Sequence, residues 1–180
     1  MKINFWFLLK KYNNYVEKKN KPKLKIDKYG KKIWLLNGEY HRVGGPAIEY
    51  RNGHKEWWLN GKRHREDGPA IEHVDGYKAW YLNGKRHRIN GPAIEHVGGY
   101  KAWYLNNKYH RISGPAIENS NGYKSWWLNG KLHRIDGPSI EWANGLKSWF
   151  LNDKEVKEED VIDFNPDITE KEYLEFVINL

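Results

Sequence analysis

The sequence predicts a mainly β fold, an elongated array of antiparallel hairpins with short helical caps at one or both ends, and three observations point there. A tract of 23 residues recurs five times without insertion or deletion, marked by His41-Arg42, His64-Arg65, His87-Arg88, His110-Arg111 and His133-Arg134. Each unit carries two turn-favouring dipeptides, such as Asp75-Gly76 and Asn83-Gly84. A tryptophan column at the same period (Trp34, Trp57, Trp80, Trp103, Trp126, Trp149) runs one copy further. A fixed period of this size means stacked units that each bury their apolar face on a neighbour, and such arrays serve as binding surfaces more often than as catalytic pockets.

The first element is a basic segment, residues 1–27. Phe5, Leu8, Leu9, Tyr12, Tyr15 and Val16 fall on one face at helical spacing, which predicts an amphipathic cap. No stretch approaches the roughly 20 apolar residues that span a bilayer, and no cleavage pattern follows Ile3–Leu9. A soluble, intracellular protein is expected, with membrane-surface association through this helix the less favoured reading.

The array itself is assigned to residues 28–154. Asp-Gly and Asn-Gly favour two-residue type I′ hairpins, because both central residues take positive φ. Applying that turn to Asp75-Gly76 pairs Glu72 with Ala79 and Ile71 with Trp80. Applying it to Asn83-Gly84 pairs Leu82 with Lys85 and Tyr81 with Arg86. Alternation then places Ile71, Trp80, Leu82 and His87 on a core face, and Glu72, Tyr81, Arg86 and Arg88 on the other. On that second face each Arg is expected to reach over a small residue to a Glu, as in Arg88-Ala79-Glu72, Arg111-Ala102-Glu95 and Arg134-Ser125-Glu118. Glu56 replaces the small residue once and is expected to face Arg65.

The last element, residues 155–180, is acidic, and Thr169-Glu-Lys-Glu172 reads as a capping box ahead of an apolar helix. Net charge is +9 over residues 1–32, +6 over 33–150 and −7 over 151–180, giving the overall +8. Such polarity steers polyanions or acidic proteins.

No catalytic constellation stands out. The chain has no cysteine. Catalysis needs one unique environment, whereas the array's His, Arg and Glu come in copies. The His column advances by roughly 9–10 Å per unit at about 4.8 Å per strand, too far for two nitrogens to share a zinc at about 2.1 Å. A hydrogen bond to a turn backbone or to a nearby acid is expected of these rings instead. Neither a metal nor a cofactor is called for, and the protein is not expected to be an enzyme.

A binding role has more support. The residue after each Trp is bulky, and the register above turns Trp58, Tyr81, Tyr104, Trp127 and Phe150 away from the core. They lie beside Arg63, Arg86, Tyr109 and Leu132, a series graded from basic to apolar. Aromatic and Arg side chains on a rigid surface anchor protein interfaces. They also stack on bases beside phosphate-binding cations. If both sheet faces close into a core, the same column is simply interior. The partner-binding set is therefore Trp58, Arg63, Tyr81, Arg86, Tyr104, Tyr109, Trp127 and Phe150. Open array edges also permit a homodimer.

The stretch Trp80-Tyr-Leu-Asn-Gly-Lys85, with equivalents at Trp57 to Lys62 and Trp126 to Lys131, resembles the MORN-repeat variant family over about residues 28–154. The His-Arg-x-x-Gly-Pro-Ala-Ile-Glu half departs from that pattern and is similar to repeats of uncharacterised bacterial and phage proteins. The resemblance implies an interaction module: antitoxin-like in bacteria, linked to membranes and scaffolding in eukaryotes. Richness in Lys, Asn, Ile and Tyr suggests an AT-rich bacterial or phage genome. The expected protein is a cytoplasmic inhibitor of a phage-defence nuclease, in the manner of an anti-CRISPR protein, or of a toxin. The partner can itself be nucleic-acid-bound, and direct nucleic-acid binding is the alternative.

Overall fold

Two turns of different chemistry set the register of every repeat. The computed structural model describes residues 21–162 and is mainly β, a repeated series of antiparallel hairpins. The predicted helices at 3–16 and 169–180 lie outside the described residues. A single helical turn, Glu159–Ile162, follows the last hairpin. No helix among the described residues is long and apolar enough to cross a membrane.

At Asn83-Gly84 both residues take positive φ, 51° and 82°, which is the expected type I′ turn. It pairs Tyr81 with Arg86 and Leu82 with Lys85 as predicted. At Asp75-Gly76 only the glycine is left-handed, at φ 83°. There the Gly76 N–H donates to the His73 carbonyl at 3.1 Å and the His73 N–H to the Tyr77 carbonyl at 2.9 Å. That is a three-residue loop, a type I turn closed by a left-handed glycine. Asp75 Oδ1 accepts the Tyr77 N–H at 3.0 Å, the local side-chain bond that holds Asp75 out of the left-handed region.

The extra residue slips the predicted register by one. Ile71 sits opposite Ala79 and Glu72 opposite Lys78, in place of Ile71 opposite Trp80. A one-residue slip exchanges the face of one strand relative to its partner, so Ile71 stays in the core as expected, as do Ile48 and Ile94, while the tryptophan opposite Ile71 gives way to Ala79. Ala70, Ile71, Ala79 and Tyr81 are buried, while Trp80 is half-buried.

The chain divides into two units, residues 21–89 with 93–97, and 90–92 with 98–162. In the first, Lys23–Ile26 pairs with Lys32–Leu36. This strand lies inside the segment assigned on sequence to the N-terminal flank, so β-structure starts earlier than residue 28. The ladder continues through Ile48–Glu49, Lys55–Glu56, Ile71–Glu72, Lys78–Ala79 and Ile94–Glu95. The second unit repeats the pattern from Lys101–Ala102 through Ile117–Glu118, Lys124–Ser125 and Ile140–Glu141 to Lys147–Leu151.

At Trp57, Trp80, Trp103 and Trp126 the chain leaves this ladder to form a separate two-stranded hairpin, whereas Trp34 and Trp149 lie within continuous strands. The Trp80 N–H donates to the Ala93 carbonyl at 2.8 Å, while its own carbonyl accepts the His87 N–H at 3.2 Å. One residue thus bonds to two different elements. The hairpin that follows, Tyr81–Leu82 with Lys85–Arg86, docks on the preceding one through Gly84 N–H to Arg63 carbonyl at 2.8 Å and Arg65 N–H to Tyr81 carbonyl at 3.0 Å.

The His and Arg columns lock this arrangement. Nδ1 of His41, His64, His110 and His133 accepts the N–H of Asn60, Asn83, Asn129 and Asn152, each at 3.2 Å, from the turn of the next repeat. The turn-backbone bond expected of the rings is the one observed. Each Arg pairs with the Glu seven residues later, not with the Glu of the preceding unit: Arg65 Nη1 lies 2.7 Å from Glu72, Arg88 2.7 Å from Glu95 and Arg111 2.6 Å from Glu118. Arg134 likewise reaches Glu141 at 3.2 Å. The break at Trp80 carries Arg88 away from Ala79 and toward the following Ile-Glu strand, which accounts for the change of partner.

The same guanidinium stacks on the tryptophan eight residues earlier, 3.8–4.0 Å from ring centroids at Trp34, Trp57, Trp80, Trp103 and Trp126. Arg65 also donates to the Pro69 carbonyl at 3.1 Å. A Cβ on Gly68 would stand 2.8 Å from the Arg65 guanidinium carbon, so the Gly-Pro motif leaves the space that the cation fills.

Candidate interaction surface

The residues singled out as partner-binding fall on the separate hairpins, where cross-strand pairs set them side by side. Trp58 opposes Arg63, Tyr81 opposes Arg86, Tyr104 opposes Tyr109, and Trp127 opposes Leu132. In the first unit the Arg63 guanidinium carbon lies 4.9 Å from the Trp58 ring centroid and 5.6 Å from that of Tyr81, so it bridges consecutive hairpins. Tyr40 continues the row with its centroid 5.2 Å from Trp58. In the second unit Tyr109 fills the bridging role, 4.3 Å from Tyr104 and 5.3 Å from Trp127.

Exposure divides the set. Tyr81 and Tyr104 are only 8% and 5% exposed, so the expectation that they face away from the core is corrected. The register slip explains it: they share a side with Ala79 and Ala102, whose complete burial leaves room for a phenol ring. Trp58, Arg63, Arg86, Tyr109, Trp127 and Phe150 stay half-exposed.

Glu56 breaks the symmetry of the array. Its position holds Ala79, Ala102 and Ser125 in the later copies, yet its carboxylate is buried and bonded on several sides. Trp58 Nε1 donates to Oε2 at 3.0 Å and Arg63 Nε at 3.2 Å, while the Tyr50 hydroxyl donates to Oε1 at 3.3 Å. His54 Nε2 stands 3.2 Å from the same Oε1. Burial by itself would lift this carboxyl, but the His54 bond and the Arg63 charge outweigh it and hold the group below the usual carboxylate range. Burial, reinforced by the Glu56 charge, raises the Tyr50 phenol.

Glu56 therefore faces Arg63, not Arg65. Sequence reading flags the substitution at Glu56 and the variability of Tyr50 between copies, but misses His54 and the link of both to Glu56. The available signal was that His54 stands where the next two copies have Tyr77 and Tyr100. In the second unit Ser125 does the equivalent work, with Trp127 Nε1 donating to its Oγ at 2.8 Å.

The array His rings spend Nδ1 on backbone N–H groups, which takes that atom from any ion. Among the described residues no group of three or more His, Asp or Glu converges as metal ligands do. What the hairpins offer chemically is contact: flat rings, a guanidinium held over them, and a graded edge. Neither a protein-family model nor a curated protein matches the chain.

Proposed function

We propose that the chain is a non-enzymatic interaction protein that binds a protein partner and inhibits it, the partner being a phage-defence nuclease or a toxin. One observation carries this reading. The side chains shared by the repeats are consumed by the fold, His on the next Asn and Arg on Trp, Pro and Glu, whereas the side chains that differ stand half-exposed on the hairpins.

Arg63 and Arg86 in the first unit give way to Tyr109 and Leu132 in the second. A scaffold of identical copies recognises an asymmetric partner only through such differences. Arg and aromatic groups held rigid before binding lose little conformational entropy on contact, which is how interface anchors reach high affinity. Trp58 and Trp127, with indole N–H groups already satisfied by Glu56 and Ser125, keep part of their surface exposed beside Arg63 and Tyr109.

The test is affinity purification of the tagged chain from its native host, followed by adding purified chain to the recovered partner's own cleavage or killing assay. Stoichiometric inhibition is expected. Arg63→Ala and Trp127→Ala should each weaken it by about 2 kcal/mol, roughly thirtyfold. Full inhibition by both variants would remove these hairpins from the interface.

A further inference from the structure

The first unit ends in a surface that the repeat does not explain. The turn Asp27–Lys31 is the same three-residue loop as Tyr50–His54, one period earlier. The Gly30 N–H donates to the Asp27 carbonyl at 3.0 Å and the Asp27 N–H to the Lys31 carbonyl at 3.1 Å, matching the bonds that close Tyr50–His54. Symmetry then aligns Lys28 with Arg51, Val74 and Val97, so this turn column is cationic only at its N-terminal end.

Symmetry also aligns Tyr29 with Asn52 and Asp75, whose side chains close their own turns. In Tyr29's turn Asp27 Oδ1 does that work, accepting the N–H of Tyr29 and of Lys31 at 2.8 and 3.0 Å. The Tyr29 ring is thus released from any turn role, and it is 69% exposed.

Tyr29 and Tyr50 line one open cleft of 390 Å³ with Asp27, Lys31, Arg51 and Asn52. Each ring has its own cation, Lys28 Nζ at 4.9 Å from Tyr29 and Lys31 Nζ at 5.1 Å from Tyr50. The strand Lys23–Ile26 adds Lys23 and Lys25, Lys21 lies just ahead of it, and Asp27 is the single acid between residues 21 and 32.

We propose that this cleft binds single-stranded nucleic acid, with bases stacked on Tyr29 and Tyr50 and phosphates held by Lys28, Lys31 and Arg51. Rings alternating with cations favour this ligand, because bases have π-faces for the rings and phosphates for the cations. An acidic peptide would use the cations alone. A membrane would use Leu24 and Ile26, which the same strand exposes.

The test is fluorescence anisotropy of the full chain with labelled oligothymidylate and oligouridylate, titrated with salt, with polyglutamate and phosphatidylserine vesicles as competitors. Binding of at least one oligonucleotide is expected, and the two arms tell DNA from RNA. Tyr29→Ala should weaken binding roughly tenfold at unchanged salt slope. Lys28→Ala should lower the log-log salt slope by about 1. Lys85→Ala, far from the cleft in sequence and exposed, should change neither. Unaltered circular dichroism of the exposed-site variants keeps folding out of the comparison. No binding of either oligonucleotide at low salt, displacement by polyglutamate or vesicles as effective as by unlabelled oligonucleotide, or equal losses from Lys85→Ala and Lys28→Ala would each overturn the proposal.

Discussion

The repeated Arg is the residue that most concentrates the fold's interactions. Arg88 sits 3.9 Å from the Trp80 ring centroid and 2.7 Å from Glu95, contacts that depend on a planar group able to stack and donate at its edge together. Lysine keeps the charge and loses that geometry. Arg88→Lys should therefore destabilise by about 1–2 kcal/mol, the sum of a cation–π contact and a part-exposed ion pair, read as a lower urea midpoint. A second residue-scale prediction concerns Glu56. Its folded pKa is depressed below 4.5, so the unfolded chain binds its proton first as pH falls. Its contribution is complete above the unfolded value and is lost as pH drops through the folded one. Glu56→Gln should make the protein less stable near neutrality and remove that part of its acid sensitivity in pH-dependent urea melts. The Arg column was legible from its spacing alone. Its partners were not, because which Glu lies within reach depends on where the strand breaks.

At the scale of the hairpin, two dipeptides that look alike in sequence behave differently. Asn83-Gly84 is left-handed at both residues, whereas Asp75-Gly76 is so only at the glycine. Asp75 uses its carboxylate to hold the right-handed alternative, and nothing in the dipeptide itself announces the choice. That one residue of loop length turned Tyr81 and Tyr104 inward and left the tryptophans half-buried under arginine. Half of the hairpin register was readable, at the Asn-Gly turns, and half was not. Gly76→Ala should cost about 1–3 kcal/mol by thermal or urea unfolding, since alanine at φ 83° is strained and its Cβ would meet Val97. The bonds between hairpins are sensitive to acid as well. Burial depresses the His110 and His133 imidazoles below 6.5. Unfolded rings therefore take up protons first, and stability is full above the unfolded value and falls as pH drops below it. Urea midpoints should decline as pH falls from about 7 to about 5, and His133→Gln should flatten that decline. A midpoint independent of pH in that window would show that burial does not disfavour the charged rings.

For the molecule as a whole, the exact period is the property that every other feature depends on. Because each copy bonds mainly to its neighbours, stability is approximately a sum over units and interfaces. Deleting the 23 residues from 69 to 91 should leave a folded, less stable protein, whereas deleting 22 or 24 should abolish cooperative unfolding. The array was legible because period and turn chemistry are written in every copy. The binding set was legible only in part: Trp58, Arg63, Arg86, Tyr109, Trp127 and Phe150 keep exposed surface, while Tyr81 and Tyr104 belong to the interior. The most direct test of the account is hydrogen exchange on the chain alone and in complex with the partner recovered from its host. Binding should slow exchange at the hairpins 58–63, 104–109 and 127–132 above all. Protection confined to the Lys78 and Lys124 face of the ladder, with those hairpins unchanged, would contradict it.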